Sequence, residues 1–224
     1  MPAIRNVMRT HLVDHWLWLF VPTIVLMSSF LTNLVVSMFI GSFTTGGLAS
    51  IYFFVMSIGM AVIPLNFSFS LGFGVRRKDY FLGTVSLFFL SSLLVSVGLT
   101  LLRQIEHLTS GWGTGLHFFD LPFLSSFSFL HLALLNFVVI SHMFLLGFLI
   151  SSIARRYGGL ILTALLLLVV IVLGVAGVLV TYWEYWDEFG RWVMTYQMDI
   201  LWFLFPFTLV YAFISYILLR KSTI

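Results

Sequence analysis

Long stretches without a single Asp, Glu, Lys or Arg dominate this chain: residues 15–75, 80–102, 121–154, 157–183 and 200–219 contain none of the four. A helix needs about 20 residues to cross the hydrocarbon core of a bilayer, so four of these gaps hold one crossing each and the first holds two. The break inside the first gap is Gly41-Ser-Phe-Thr-Thr-Gly-Gly47, its one polar, glycine-rich segment. Spans are therefore expected at 16–40, 48–73, 81–102, 127–153, 159–183 and 200–219. With 61% hydrophobic and 8% charged residues, the chain cannot present a water-facing surface of ordinary polarity, and its solvent is lipid. The expected fold is all-α: a polytopic membrane protein with six transmembrane helices in one domain, 1–224.

The charges that separate the gaps are sorted by sign. Nine of the eleven Lys and Arg residues fall on one side of the pattern: Arg5 and Arg9, then Arg76, Arg77 and Lys78, then Arg155 and Arg156, then Arg220 and Lys221. Glu106, Asp120, Glu184, Asp187, Glu188 and Asp199 fall in the opposite loops. Basic residues collect on the cytoplasmic side of a membrane protein, so both termini are expected in the cytoplasm and the chain in the cell membrane. The first apolar run is too long for a signal-peptide core and no small-x-small cleavage site follows it, so it is read as a span.

Six spans use most of the 224 residues, which leaves no room for a soluble catalytic or nucleotide-binding domain. No phosphate-binding loop of the G-x-x-x-x-G-K-[ST] kind occurs, and the absence of cysteine excludes disulfides and thiolate ligands. The chain is not expected to be an enzyme or to bind nucleic acid. No carboxylate, Lys or Arg lies near the middle of a span, which disfavours coupling to a proton or sodium gradient. Glutamyl intramembrane proteolysis is disfavoured for the same reason. His131 and His142 are the ionisable side chains deepest in the lipid; eleven residues apart, they stand about 16 Å from each other along one helix, too far to share a metal. They are read as neutral groups hydrogen-bonded within the bundle, against the alternative of haem ligation across a symmetric dimer.

Residues 1–15 carry apolar residues at Ile4, Val7, Met8 and Leu12, with Arg5 and Arg9 off that stripe. This pattern fits a short amphipathic helix on the inner leaflet, the alternative being a frayed basic start that only sets topology. Small residues form further stripes: Ser50, Ser57, Ala61, Pro64 and Ser68 on the second span, and Thr163, Gly174, Gly177 and Thr181 on the fifth. Such stripes let helix backbones approach closely. Packing within the chain is the first expectation for them, with a dimer seam or a translocation path as alternatives. Helix 1 adds a broader polar face of Ser28, Ser29, Thr32, Asn33 and Ser37, and Pro22, Pro64 and Pro206 are expected to kink their helices. The aromatic segment Tyr182–Tyr196 places Trp183, Trp186, Phe189, Val193 and Tyr196 near one face, as an interfacial anchor or a re-entrant gate. Trp112, Phe118 and Phe119 among Gly111, Gly113 and Gly115 predict a folded cap before the fourth span.

The most specific local signal is Phe67-Ser-Phe-Ser-Leu-Gly-Phe-Gly-Val-Arg-Arg-Lys-Asp-Tyr-Phe-Leu-Gly-Thr84, between spans 2 and 3. Its Leu71, Gly72, Gly74, Arg76, Arg77, Asp79, Tyr80, Phe81 and Gly83 resemble the run that links helices 2 and 3 in permease subunits of type-2 ABC transporters. The amphipathic start, the six spans and the embellished loop between helices 5 and 6 are similar to that family's plan. The resemblance implies a coupling helix that docks onto a separate cytoplasmic ATPase, with ATP and Mg held by that partner and no cofactor by this chain. It also implies a second permease subunit, identical or related. A short helix capped by Asp79 and rooted in lipid by Tyr80 and Phe81 would then carry Arg76, Arg77 and Lys78 to acids on the ATPase. The positive-inside rule explains the three cations equally well, but not the glycines and Asp79 around them. The expected function is the membrane subunit of an ATP-driven exporter; the alternative is a non-transporting binding, immunity or signalling partner.

Overall fold

The computed structural model describes residues 2–13, 20–121 and 127–222. Among these are nine α-helices: α1 (Pro2–Val13), α2 (Val21–Ile40), α3 (Ala49–Val62), α4 (Ser68–Gly72), α5 (Arg77–Leu108), α6 (Phe129–Tyr157), α7 (Gly159–Tyr182), α8 (Trp186–Thr195) and α9 (Gln197–Arg220). Six helical segments are long and apolar enough to cross a membrane: 21–40, 49–72, 77–108, 129–157, 159–182 and 202–220. Leu12's side chain, His15 and the expected start of the first span at 16–19 lie outside the described residues.

The third span is much longer than expected. The charge-free gap predicts 81–102, whereas α5 runs through 32 residues from Arg77 to Leu108. At its far end the charges that close the gap are paired or hydrogen-bonded in place. Arg103 pairs with Asp120 at 2.8 Å. The fully buried carboxylate of Glu106 accepts the backbone N–H groups of Phe118 at 3.0 Å, Phe119 at 3.0 Å and Asp120 at 2.8 Å, and the indole N–H of Trp112 at 2.8 Å. A carboxylate so satisfied no longer needs water, so it does not end the helix. These bonds fold residues 109–121 back as the predicted cap. Phe30 of α2 packs edge-on against Trp112 and Phe118, and two short strands, β1 (Phe43–Thr44) and β2 (Leu116–His117), pair in parallel beneath it.

α6 is the hub, packing against α3, α5 and α9. Its tightest crossing is a reciprocal pair of glycines. A Cβ on Gly59 of α3 would run into the backbone of Phe144, and one on Gly147 of α6 would run into the backbone of Met56. With no side chain between them the two backbones touch, which is how helices associate where lipid removes the hydrophobic incentive. On the α5 side, Phe88 stacks on Phe144 with ring centroids 3.6 Å apart. Tyr52 donates its hydroxyl to Asn136, whose amide reaches Thr100 at 3.4 Å, so a polar thread joins α3, α6 and α5.

The periphery departs from expectation at two places. α1 does not simply float on a leaflet: Val7 is 2% exposed and lies against α5, while Arg5 and Arg9 face outward. α7 meets the bundle mainly through its junction with α6, and no residue along it is buried. Of the three prolines expected to kink their spans, Pro64 sits in a π-helical turn, Ile63–Phe67, that joins α3 to α4. Pro206 lies within a continuous α9, and Pro22 lies in the first turn of α2 as described.

Candidate functional site

The turn between α4 and α5 is built from both sides. α4 ends at Gly72, and Gly74, at φ +78°, turns the chain in a left-handed conformation that suits glycine best. Arg76 is extended at φ −69° and ψ 143°, and α5 begins at the next residue. The expected separate short helix capped by Asp79 is therefore replaced by a tight turn. Asp79 stands in the first turn of α5, where a carboxylate favours the positive end of the helix dipole, and no side-chain cap closes that end.

Tyr80 and Phe81 are rooted in protein rather than in lipid. Tyr80 is fully buried, donates its hydroxyl to the carbonyl of Val62 at 3.1 Å, and meets Phe67 edge-on at 5.1 Å. Phe81 lies between Phe148 of α6 and Tyr216 of α9, at 6.1 Å and 5.3 Å. Gly83 is where α1 crosses α5: a Cβ there would stand 2.8 Å from Val7 Cβ and 3.1 Å from the Ile4 carbonyl. One turn further along α1, the buried His11 places Nε2 2.9 Å from the Thr84 hydroxyl and Nδ1 3.4 Å from the Asn66 amide. The turn is thus fixed to α1, the π-helical turn, α6 and α9 at once.

Its cations divide by role. Arg77 donates through Nη1 to the carbonyl of Arg220 at 3.0 Å, satisfying an orphan group at the negative end of α9. Arg76 and Lys78 are exposed, as are Gly72, Gly74 and Phe73, the last at 74%. Phe73 stacks edge-on against the half-exposed Phe69, with centroids 4.6 Å apart. Residue patterning missed this apolar knob because Phe is common throughout the chain. Arg155, in the last turn of α6, donates to Ser68 at 3.0 Å and lies 5.7 Å over the Phe67 ring. The basic residues 76–78, 155 and 220 therefore share one pole of the bundle, where α1 and the end of α9 also lie.

The small-residue stripes fare differently. Ser57 is exposed and donates to Phe53 of its own helix, and Ala61 is half-buried. The contact on that helix uses Gly59 instead, a lone glycine in a helical run and so a legible signal. Thr163 and Thr181 also bond within their own helix, to Gly159 and Gly177. Nothing lies within 4 Å of a Cβ placed on Gly174 or Gly177. The expected intramolecular packing of the α7 stripe is not observed, and that face is left for lipid or another chain. On α2, Ser29, Asn33 and Ser37 bond to nearby backbone carbonyls, and Ser37 also reaches Thr114 of the cap at 2.7 Å.

His142 Nδ1 lies 3.1 Å from the Thr208 hydroxyl of α9, and His131 Nδ1 lies 2.8 Å from Ser128, which caps α6. His142 is thus bonded within the bundle as expected, whereas His131 is exposed in the first turn of α6 and bonds to its own helix cap. Among the described residues no group of three or more His, Asp or Glu side chains converges on one point as a metal site would require. At the opposite pole, Trp186, Phe189 and Trp192 of the amphipathic α8 and Tyr196 at its C-terminal cap form a ladder of rings spaced 6.3, 6.3 and 6.0 Å. Val193 on the same helix is half-buried, and Trp183, expected on this face, lies instead against Tyr185 ahead of α8. Comparison with protein-family models, characterised proteins and solved structures finds no match to this chain.

Proposed function

We propose that the chain is the membrane subunit of an ATP-driven transporter of the type-2 ABC kind, set in the cell membrane with both termini in the cytoplasm. Its ATP-hydrolysing partner would be a separate cytoplasmic protein that docks on the turn at residues 72–83. A single observation carries the reading: the turn exposes Phe73, Arg76 and Lys78 while Tyr80, Phe81 and Gly83 tie it into four other parts of the molecule. A surface loop that only obeyed the positive-inside rule would need the cations but not that anchorage. A push received at Phe73 would reach α6 and α9 through Phe81, and α1 through Gly83. Exposed cations beside an apolar knob suit an acidic groove on the partner.

The unpacked α7 supports a second permease subunit, because its glycine face has no occupant in this chain. Transport direction is taken as outward. The test is affinity purification in mild detergent with identification of the co-purifying chains. The reading expects an ATPase without spans of its own, recovered with the wild type and lost when Phe73→Ala and Arg76→Gln are combined. Recovery of a membrane or secreted partner and no ATPase would support the non-transporting binding or immunity reading.

A further inference from the structure

At the pole opposite the basic turn, α6 and α9 part to form a half-open apolar cavity of about 240 Å³. Its walls are Leu134, Leu135, Phe137 and Val138 of α6 with Trp202 and Phe205 of α9, and His131 stands among them with Nδ1 turned to Ser128. An apolar cavity of roughly 150 Å³ stays dry and accepts benzene, so this one has room for a larger hydrocarbon group and no polar wall to hold water. Trp202 is shared with an adjoining shelf formed by Trp192 and Tyr196 at the end of α8 and by Asp199. Asp199, Trp202 and Phe205 follow at intervals of three on α9, so the carboxylate stands about one turn beyond the tryptophan and about 9 Å along the axis from the phenylalanine. The segment that forms the shelf carries four carboxylates, Glu184, Asp187, Glu188 and Asp199, against one guanidinium, Arg191. Residues 121–154, which supply the other wall, carry no Asp, Glu, Lys or Arg.

From this juxtaposition we infer that the cavity between α6 and α9 binds a cationic amphiphile, its hydrocarbon part against Val138 and Phe205 and its ammonium group on the shelf beside Asp199. Aromatic faces of Trp192, Tyr196 and Trp202 attract such a cation, most strongly where water is excluded. A lipid acyl chain would satisfy the cavity but gain nothing from the acidic shelf. The site does not depend on the ATPase reading, since the chain alone supplies every group in it.

The experiment uses the purified full chain in phosphatidylcholine nanodiscs and follows quenching of tryptophan fluorescence by 12-bromododecyl-trimethylammonium, with 12-bromododecyl sulfate as the anionic counterpart. The inference expects saturable quenching by the cation at a concentration at least tenfold below that of the anion. Trp202→Phe should remove most of the saturable signal, and Trp183→Phe should leave it in place. Asp199→Asn should bring the two probes close to parity, and Val138→Phe should weaken both by filling the cavity. If Val138→Phe fails to insert, the exposed Asp199→Asn variant still decides the matter. Quenching that never saturates, that is equal for both head groups, or that survives Asp199→Asn with its preference intact overturns the inference and leaves acyl-chain occupancy alone.

Discussion

Gly83 and Glu106 show how single residues fix the two poles. At Gly83 any side chain would drive α1 off α5, since Val7 already stands where its Cβ would go. Gly83→Leu is expected to expose α1 to limited proteolysis at Arg5 and Arg9 while the six spans stay inserted; protection equal to the wild type would show that α1 is held elsewhere. At the other pole, the Glu106 carboxylate faces four N–H donors and no solvent. In Glu106→Gln an amide NH₂ must face some of those donors, at a cost of about 2–3 kcal/mol. Thermal unfolding in detergent should shift down, and Trp112 fluorescence should report an opened cap; an unchanged midpoint would contradict the stapling role. Neither role was legible beforehand. Glu106 reads in sequence as one more acid in a polar loop, and its burial depends on residues 118–120 folding back 12 to 14 positions later. Gly83 was legible as a motif position, but the residue it accommodates lies 76 positions earlier, at Val7.

Among the elements, α3 and α6 are held by contact between backbones, while α7 has almost no intramolecular partner. Gly59→Leu or Gly147→Leu should break the α3–α6 crossing and destabilise the fold by about 1–3 kcal/mol or more, seen as a lower unfolding midpoint. Gly174→Leu with Gly177→Leu should leave that midpoint unchanged and reduce self-association of the chain, measured by in-membrane cross-linking. Unaltered association would mean that this face meets lipid. The positions of the spans were legible because lack of charge over about 20 residues is imposed by the bilayer itself. The extra length of α5 was not, because it depends on an ion pair and hydrogen bonds made by the cap. The contacts between helices were legible only in part: a stripe of small residues shows that a backbone can be approached, not which chain approaches it. Ser57 and Ala61 marked the right helix, and Gly59 on the same helix makes the contact.

For the whole molecule, the separation of charge between the poles and the anchored turn at one of them carry the account. Cysteines placed in this cysteine-free chain at positions 113 and 187 are expected to react with an impermeant thiol reagent in intact cells, and one at 78 is not; the reverse pattern would invert the orientation. Because Arg77 already serves α9, charge reversal there would disturb the fold as well as any docking, so Arg76 and Phe73 are the informative positions. The exposed charges alone contribute little, about 0–1 kcal/mol each, so the apolar knob should dominate the contact. The most direct test replaces Phe73, and in a second variant Gly113, with a photo-crosslinking amino acid in living cells and identifies what each captures. The account predicts a nucleotide-binding ATPase without membrane spans cross-linked from position 73 and absent from 113; an ATPase captured from neither position, or from 113 alone, would contradict it.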